Sequence, residues 1–392
     1  LKKRSPEVKK MKKNKWIALL LFLTLPFFLG GCRSFLVPQD KPLALNNTLL
    51  QQKNPQSKME ILSFENIGTG TVQDISYDGS TLLLLNTTEA PPITYNINLL
   101  KVSENENQLT SFVNSEKHQL SAKFDEYAKG VFYVEKGLDT GNEKSSNQLI
   151  WTSIDKSVTK TISSPEENVN SNICIVDDSS VIYSNSNNQI VMATSEGDRR
   201  IYHTVRSIPV HDIQYYPKNN AVIFTGTDPT DDQKTNLYLS EIKDGSDELS
   251  STLIDENVIN FDINRQNGSI IYTQNYGDSN RIMSYSISKG AQPSVVSEGN
   301  FTSAAYTPNG EKILYTQFSS INTKTSQSIW IMDANGKNKL QISAPLTLTS
   351  AIIAHPYKST IYFSIEKKRE TATSDTKGQP ISQIYKIDYN IN

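Results

Sequence analysis

Cysteine is nearly absent from this chain: two residues, Cys32 and Cys174, in 392. That excludes a small disulfide-stapled domain and any cysteine-rich metal site. Histidine is scarce too, with four residues, which leaves little material for metal or general-base constellations. Acidic and basic residues nearly cancel, giving a formal charge of −2. Nothing in that balance favours nucleic acid or an anionic membrane surface as a partner. The G-x-S-x-G elbow of serine hydrolases, phosphate-binding glycine loops and the H-E-x-x-H zinc motif are all missing. No cofactor, no resident metal and no enzymatic activity is therefore expected. Long hydrophobic runs are missing as well, apart from residues 16–29, which are too few for a comfortable membrane span.

That run has another reading. Lys12, Lys13 and Lys15 precede it, and it ends in Leu29-Gly30-Gly31-Cys32. A basic segment, a short apolar core and small residues before a cleavage point describe an export signal. The quartet resembles the bacterial lipobox, which implies cleavage before Cys32 and a lipid on its thiol. Residues 1–31 are read as a lipoprotein signal peptide, with Met11 as an alternative start. Residues 32–58, rich in Gln, Asn, Pro and Lys without a sustained period, read as a flexible tether. The location expected is a bacterial cell membrane, with the following domain on its extracytoplasmic side. With Cys32 acylated, Cys174 has no partner and reads as a small buried hydrophobe.

From residue 59 onward the chain is organised by repetition. Residues 301–343 read as four short strands separated by Thr307-Pro308-Asn309-Gly310, a polar loop and Asp333-Ala334-Asn335-Gly336. Pro presets φ for the first turn, and Asn-Gly supplies the positive φ of tight hairpins. One four-stranded meander cannot bury both of its faces, so the unit makes sense only repeated. A hydrophobic triplet ending in Leu84, Tyr133, Tyr183, Phe224, Tyr272, Tyr315 and Phe363 recurs every 41–50 residues and marks the second strand of each unit. A second column, Tyr95, Trp151, Val191, Tyr238, Met283, Trp330 and Tyr385, marks the third.

Two columns in register over seven units predict an all-β fold, a β-propeller of four-stranded blades spanning residues 59–392. Six blades plus an irregular first unit is the alternative. The seventh unit lacks a fourth strand, whereas residues 59–64 alternate apolar and polar before the first unit. This N-terminal segment is expected to become the outer strand of the last blade and close the ring.

Tyr306-Thr307-Pro308-Asn309-Gly310-Glu311-Lys312-Ile313-Leu314-Tyr315 and Ser328-Ile329-Trp330-Ile331-Met332-Asp333 resemble the WD40-like repeat of TolB-type propellers. The resemblance covers residues 59–392 and implies a protein-binding propeller of the cell envelope. Where that family has an α/β domain before its propeller, the sequence is read as a lipobox and a short tether, so the family's particular role is not expected to transfer.

Several residues carry weaker chemical signals. Asp228-Pro229-Thr230-Asp231-Asp232 lacks the glycine and glutamate of a calcium loop and reads as a solvated connection. Ser76-Tyr77-Asp78-Gly79 reads as a plain turn. Of the histidines, His118, His203 and His355 read as surface or packing residues. His211-Asp212 opens the first strand of the fourth unit, where side chains reach a propeller's channel, and is the candidate base or ligand pair. The second-to-third-strand loops at 137–146, 317–327 and 367–380 vary most and are candidate recognition elements.

The function expected is a monomeric, lipid-anchored, non-enzymatic scaffold that binds an envelope protein or a cell-wall component. The alternatives are a channel-site enzyme, such as a lactonase or glycan-active hydrolase, and a small-ligand-binding lipoprotein.

Overall fold

A computed structural model describes residues 59–87, 94–103, 106–136, 146–228, 230–288, 291–318, 326–368 and 380–391. The segments read as signal peptide and tether, Cys32, and most of the three variable loops lie outside the described residues. Seven sheets form seven blades in a ring, all antiparallel except that blade 3 gains a short fifth strand, Glu248–Leu249, in parallel. Blades 1 to 6 run consecutively along the chain, and the seventh is completed from the N-terminus. Its order is Ile353–Ala354, Thr360–Lys368, Pro380–Ile391 and then Met59–Thr69 outermost. The closing strand expected at residues 59–64 is present and longer, pairing along its length with Pro380–Ile391.

The second strand of each blade explains why the hydrophobic triplets are continuous rather than alternating. It has a sheet neighbour on each side and another blade over each face, so residues of both faces are buried. Leu84, Tyr183, Phe224, Tyr272 and Phe363 are 0% exposed, and each triplet that precedes them is buried as well. The core is accordingly divided into seven clusters, each between neighbouring blades. Burying one such aromatic stabilises the fold by about 2–3 kcal/mol.

The third-strand column holds in five blades, where Val191, Tyr238, Met283, Trp330 and Tyr385 lie directly opposite the second-strand column. Phe224–Tyr238 and Tyr315–Trp330 stack at centroid distances of 5.3 and 6.2 Å. In blades 1 and 2 the register differs. Asn98 faces Leu84, and Ile150 faces Tyr133. Tyr95 is therefore exposed, and Trp151 sits one residue out of register with its indole on Gly130, where a Cβ would come within 2.4 Å of the ring. A shift of one residue sends every side chain to the other face.

Two turn glycines separate backbone strain from crowding. Gly245 (φ +74°) faces open space, whereas a Cβ on Gly336 (φ +81°) would lie 2.4 Å from the Val296 carbonyl oxygen. Gly245→Ala is expected to cost about 1 kcal/mol, the left-handed penalty alone. Gly336→Ala must also move backbone and is expected to cost about 3 kcal/mol. Paired urea melts compare the two.

Candidate functional site

Each blade's first strand has a sheet partner on one side only, so its other edge faces the axis of the ring. The first strands of blades 1–6 are Thr71–Ile75, His118–Phe124, Val169–Ile175, Val210–Tyr216, Val258–Asn264 and Phe301–Tyr306. With blade 7 they enclose a channel of about 950 Å³. An edge strand leaves backbone N–H and C=O groups without ladder partners, and here polar side chains of neighbouring blades meet them. Asp74 accepts from Phe124 N–H at 3.0 Å and Asp262 from Tyr306 N–H at 2.8 Å. Asn172 donates to His211 C=O at 2.8 Å, and Asn260 to Ala304 C=O at 3.1 Å. Ser121 donates likewise to Ser171 C=O. Much of the channel's polarity is therefore structural, and it joins one blade to the next.

Electrostatics in the channel follow from burial. Desolvation pushes the Asp262 carboxyl above the ordinary aspartate range, against the N–H groups of Tyr306 and Ile263 that bond its charged form. Burial raises Asp212 too, opposed by the Ile213 N–H and by Lys123 and reinforced by repulsion from Asp262. Lys123 reaches Gln73 C=O at 3.2 Å and Asp74 at 3.8 Å. Arg265 donates to Ile175 C=O at 2.8 Å and touches the Cys174 sulfur. Cys174 is buried, and desolvation raises its thiol above the ordinary value, which keeps it in the unreactive protonated form. Among the described residues, no three His, Cys, Asp or Glu side chains converge as a metal site.

A β-bulge recurs on the first strands of blades 2, 4, 5 and 6, opposite the same second-strand positions. His211 is the bulged residue of blade 4, and this separates it from Asp212. His211 is exposed, with Nε2 2.6 Å from Thr227 Oγ1. Asp212 lines the channel and accepts from Ile213 N–H at 2.9 Å. No hydrogen bond joins the two, although both border a side pocket of about 480 Å³. The other histidines are dispersed: His118 opens the first strand of blade 2, and His203 lies exposed on the outer strand of blade 3.

His355 is buried in a turn of blade 7, where Nδ1 accepts from the N–H groups of Tyr357 and Lys358 at 3.0 and 3.1 Å. Burial first, and then the charge on Lys358, hold its pKa below the ordinary 6.5. Only the neutral ring accepts those bonds. The stability it contributes is thus complete above pH 6.5 and is lost as pH falls toward the lowered folded value. His355→Gln is expected to flatten this part of the pH–Tm profile above about pH 5, below which carboxylates dominate.

Sequence reasoning missed what surrounds one mouth of the channel. Tyr77, Tyr127 and Tyr357 stand in the first turns of blades 1, 2 and 7, which adjoin because the ring is closed. They are 56%, 54% and 62% exposed, yet Tyr77 meets Tyr127 at 5.9 Å and Tyr357 at 5.8 Å between centroids. A hydrogen bond with Tyr77 pushes the Tyr357 phenol up to about 12. Lys129 lies 5.4 Å over the Tyr127 ring. Single exposed apolar residues are ordinary on a protein surface, but contiguous aromatic ones are not.

No family model and no curated protein matches the chain. Solved structures similar to it include the β-propeller domain of Cps50 (Swd1) from Myceliophteria thermophila, 10% identical over 84% of this chain and 99% of that one, with TM-score 0.54. Prolyl oligopeptidase B from Galerina marginata is 8% identical over 80% of this chain and 50% of that one, with TM-score 0.55. TolB from Acinetobacter baumannii is 15% identical over 69% of this chain, with TM-score 0.46, and this chain spans only 65% of its length. Identities this low show the propeller fold and nothing finer.

Proposed function

We propose that the chain is a lipid-anchored β-propeller of a bacterial cell envelope that serves as a non-enzymatic protein-interaction scaffold. The observation that carries the scaffold reading is the cluster Tyr77–Tyr127–Tyr357. Tyr supplies large, rigid contact area at low entropic cost together with a polar tip, which is why it concentrates in protein interfaces. The anchor rests on Leu29-Gly30-Gly31-Cys32 and the basic segment before it. The tether gives the domain reach from the bilayer toward an envelope protein or a wall component.

Two experiments test the two halves. Metabolic labelling with a palmitate analogue, followed by fractionation, should place wild type in the membrane and label it, with both lost in Cys32→Ala. Quantitative pulldown should then compare wild type with the triple variant Tyr77→Ser, Tyr127→Ser, Tyr357→Ser. A specific partner reduced at least tenfold in the variant, with Tm unchanged, supports the tyrosine face. Undiminished recovery of that partner overturns it.

A further inference from the structure

Asp212 departs from a pattern that three other blades of the channel share. At the position just after the bulge, blade 2 has Ser121, blade 3 the equivalent Asn172 and blade 5 Asn260. Each donates a hydrogen bond to a backbone carbonyl of the next blade, whereas Ser303, at the same position in blade 6, bonds the Thr316 hydroxyl of its own blade. Blade 4 places a carboxylate there, opposite Thr225, and an ionised carboxylate has nothing to donate. It does not act as an acceptor clamp either, unlike Asp74 and Asp262, which take an N–H from the following blade. One oxygen of Asp212 accepts from its own neighbour Ile213, and among the described residues the other has no donor. A residue that departs from a structural pattern without a compensating contact is where function is sought.

The surroundings say what such a carboxylate would hold. The cavity is lined by five acidic and two basic side chains, an excess that favours cations. Both bases are already occupied, Lys123 by Gln73 and Asp74 and Arg265 by Ile175. Blade 7 lies three blades round the ring from blade 4, hence across the channel. There the lining is Thr349 and Ser350 followed by Ala351, Ile352, Ile353 and Ala354, with Ala305 contributed by blade 6; Ile352 and Ile353 are half-buried and pack in part against the inter-blade cores. A volume of about 950 Å³ takes a small molecule with room for water.

We propose that the channel binds a small organic cation, a protonated amine with an apolar tail, whose ammonium is held by Asp212 and whose tail lies on the Ile352–Ile353 wall. A divalent metal fits less well, because one free carboxylate supplies too few oxygen ligands. Tyr77 of the tyrosine face lines the mouth of the same channel, but Asp212 and Ile352 are not members of that face, and their variants test this site apart from it.

The test uses the full-length chain, with hexylammonium as the probe, hexanol as its neutral isostere and calcium chloride as the metal arm, all measured by calorimetry and protein NMR. Hexylammonium is expected to saturate one site with a Kd of about a millimolar, as its size permits. Hexanol should bind at least about tenfold more weakly, the usual worth of a charge-assisted hydrogen bond. Asp212→Asn should lose about tenfold or more in hexylammonium affinity. Because Asn restores the donor found in blades 3 and 5, the same variant should melt no lower than wild type. Ile352→Thr should weaken hexylammonium but leave methylammonium unchanged. Equal affinity for hexanol, unaltered binding in Asp212→Asn, saturation by calcium in place of the amine, or no saturable binding would each overturn the proposal.

Discussion

Removal of residues 59–69 is expected to abolish cooperative folding of the propeller, the largest effect of any change considered. The strand Met59–Thr69 completes blade 7 from the far end of the sequence, and its backbone ladder runs along nearly all of Pro380–Ile391. Phe64 stacks on Tyr385 at 5.0 Å, and Ser63 donates to Asp388 at 2.6 Å. Ile67 belongs to the core between blades 7 and 1, while Met59, Ile61 and Phe64 cover the core between blades 6 and 7. Without this strand a 12-residue edge is exposed, and the ring's ends are left joined only by the packing of blade 7 on blade 1 and the few bonds around Ser364 and Ser382. Such an edge is a template for aggregation. Circular dichroism melts should show a broad, early transition with precipitation. A synthetic peptide of residues 59–69, added in excess, should restore part of the native transition. A truncated chain melting like wild type would show that the closure is dispensable.

The second large effect is expected at an ion pair buried in the crossing between blades 2 and 3. One oxygen of Glu167, a residue 5% exposed, accepts from Ser164 N–H at 3.1 Å, from the Tyr183 hydroxyl at 2.9 Å and from Arg199 at 2.8 Å. Tyr183 is the fully buried second-strand aromatic of blade 3, so the pair ties the crossing to both the core and the outer strand. Desolvation, together with the charge of Glu167, raises the Tyr183 phenol well above its ordinary pKa and keeps it a donor. Arg199→Met leaves a buried carboxylate uncompensated and should cost about 3 kcal/mol, or about 5 °C in Tm for a domain of this size. Glu167→Gln in the same chain removes the orphaned charge and should recover most of the loss. A double-mutant cycle with no coupling would refute the assignment.

Much of the architecture could be read from the chain, for a definite reason. Second strands are covered on both faces, so Val222-Ile223-Phe224 and its counterparts are runs that no surface could tolerate, and they recur at blade spacing. The third strands of blades 1 and 2 were misread because Tyr95 and Trp151 look like column members, while pairing register is fixed by neighbours rather than by residue type. The short strand Glu248–Leu249, which joins blade 3 in parallel next to His203 and Thr204, carries no signal in so few residues. The tyrosine face was unreadable for another reason. Tyr77, Tyr127 and Tyr357 each occupy an ordinary turn, and only ring closure brings Tyr357 beside Tyr77. His211-Asp212 drew notice as a pair, yet the bulge that parts them and the donor pattern that singles out Asp212 exist only in register with adjoining blades.

The most direct test of the scaffold account is site-specific photo-crosslinking in living cells. One probe replaces Tyr77, and a control replaces Ser111, which is exposed on the outer strand of blade 1. The account predicts a discrete protein adduct from position 77, absent from position 111 and lost when Tyr127→Ser and Tyr357→Ser are added. The same adducts from both positions, or an adduct at 77 indifferent to the other two tyrosines, would contradict it.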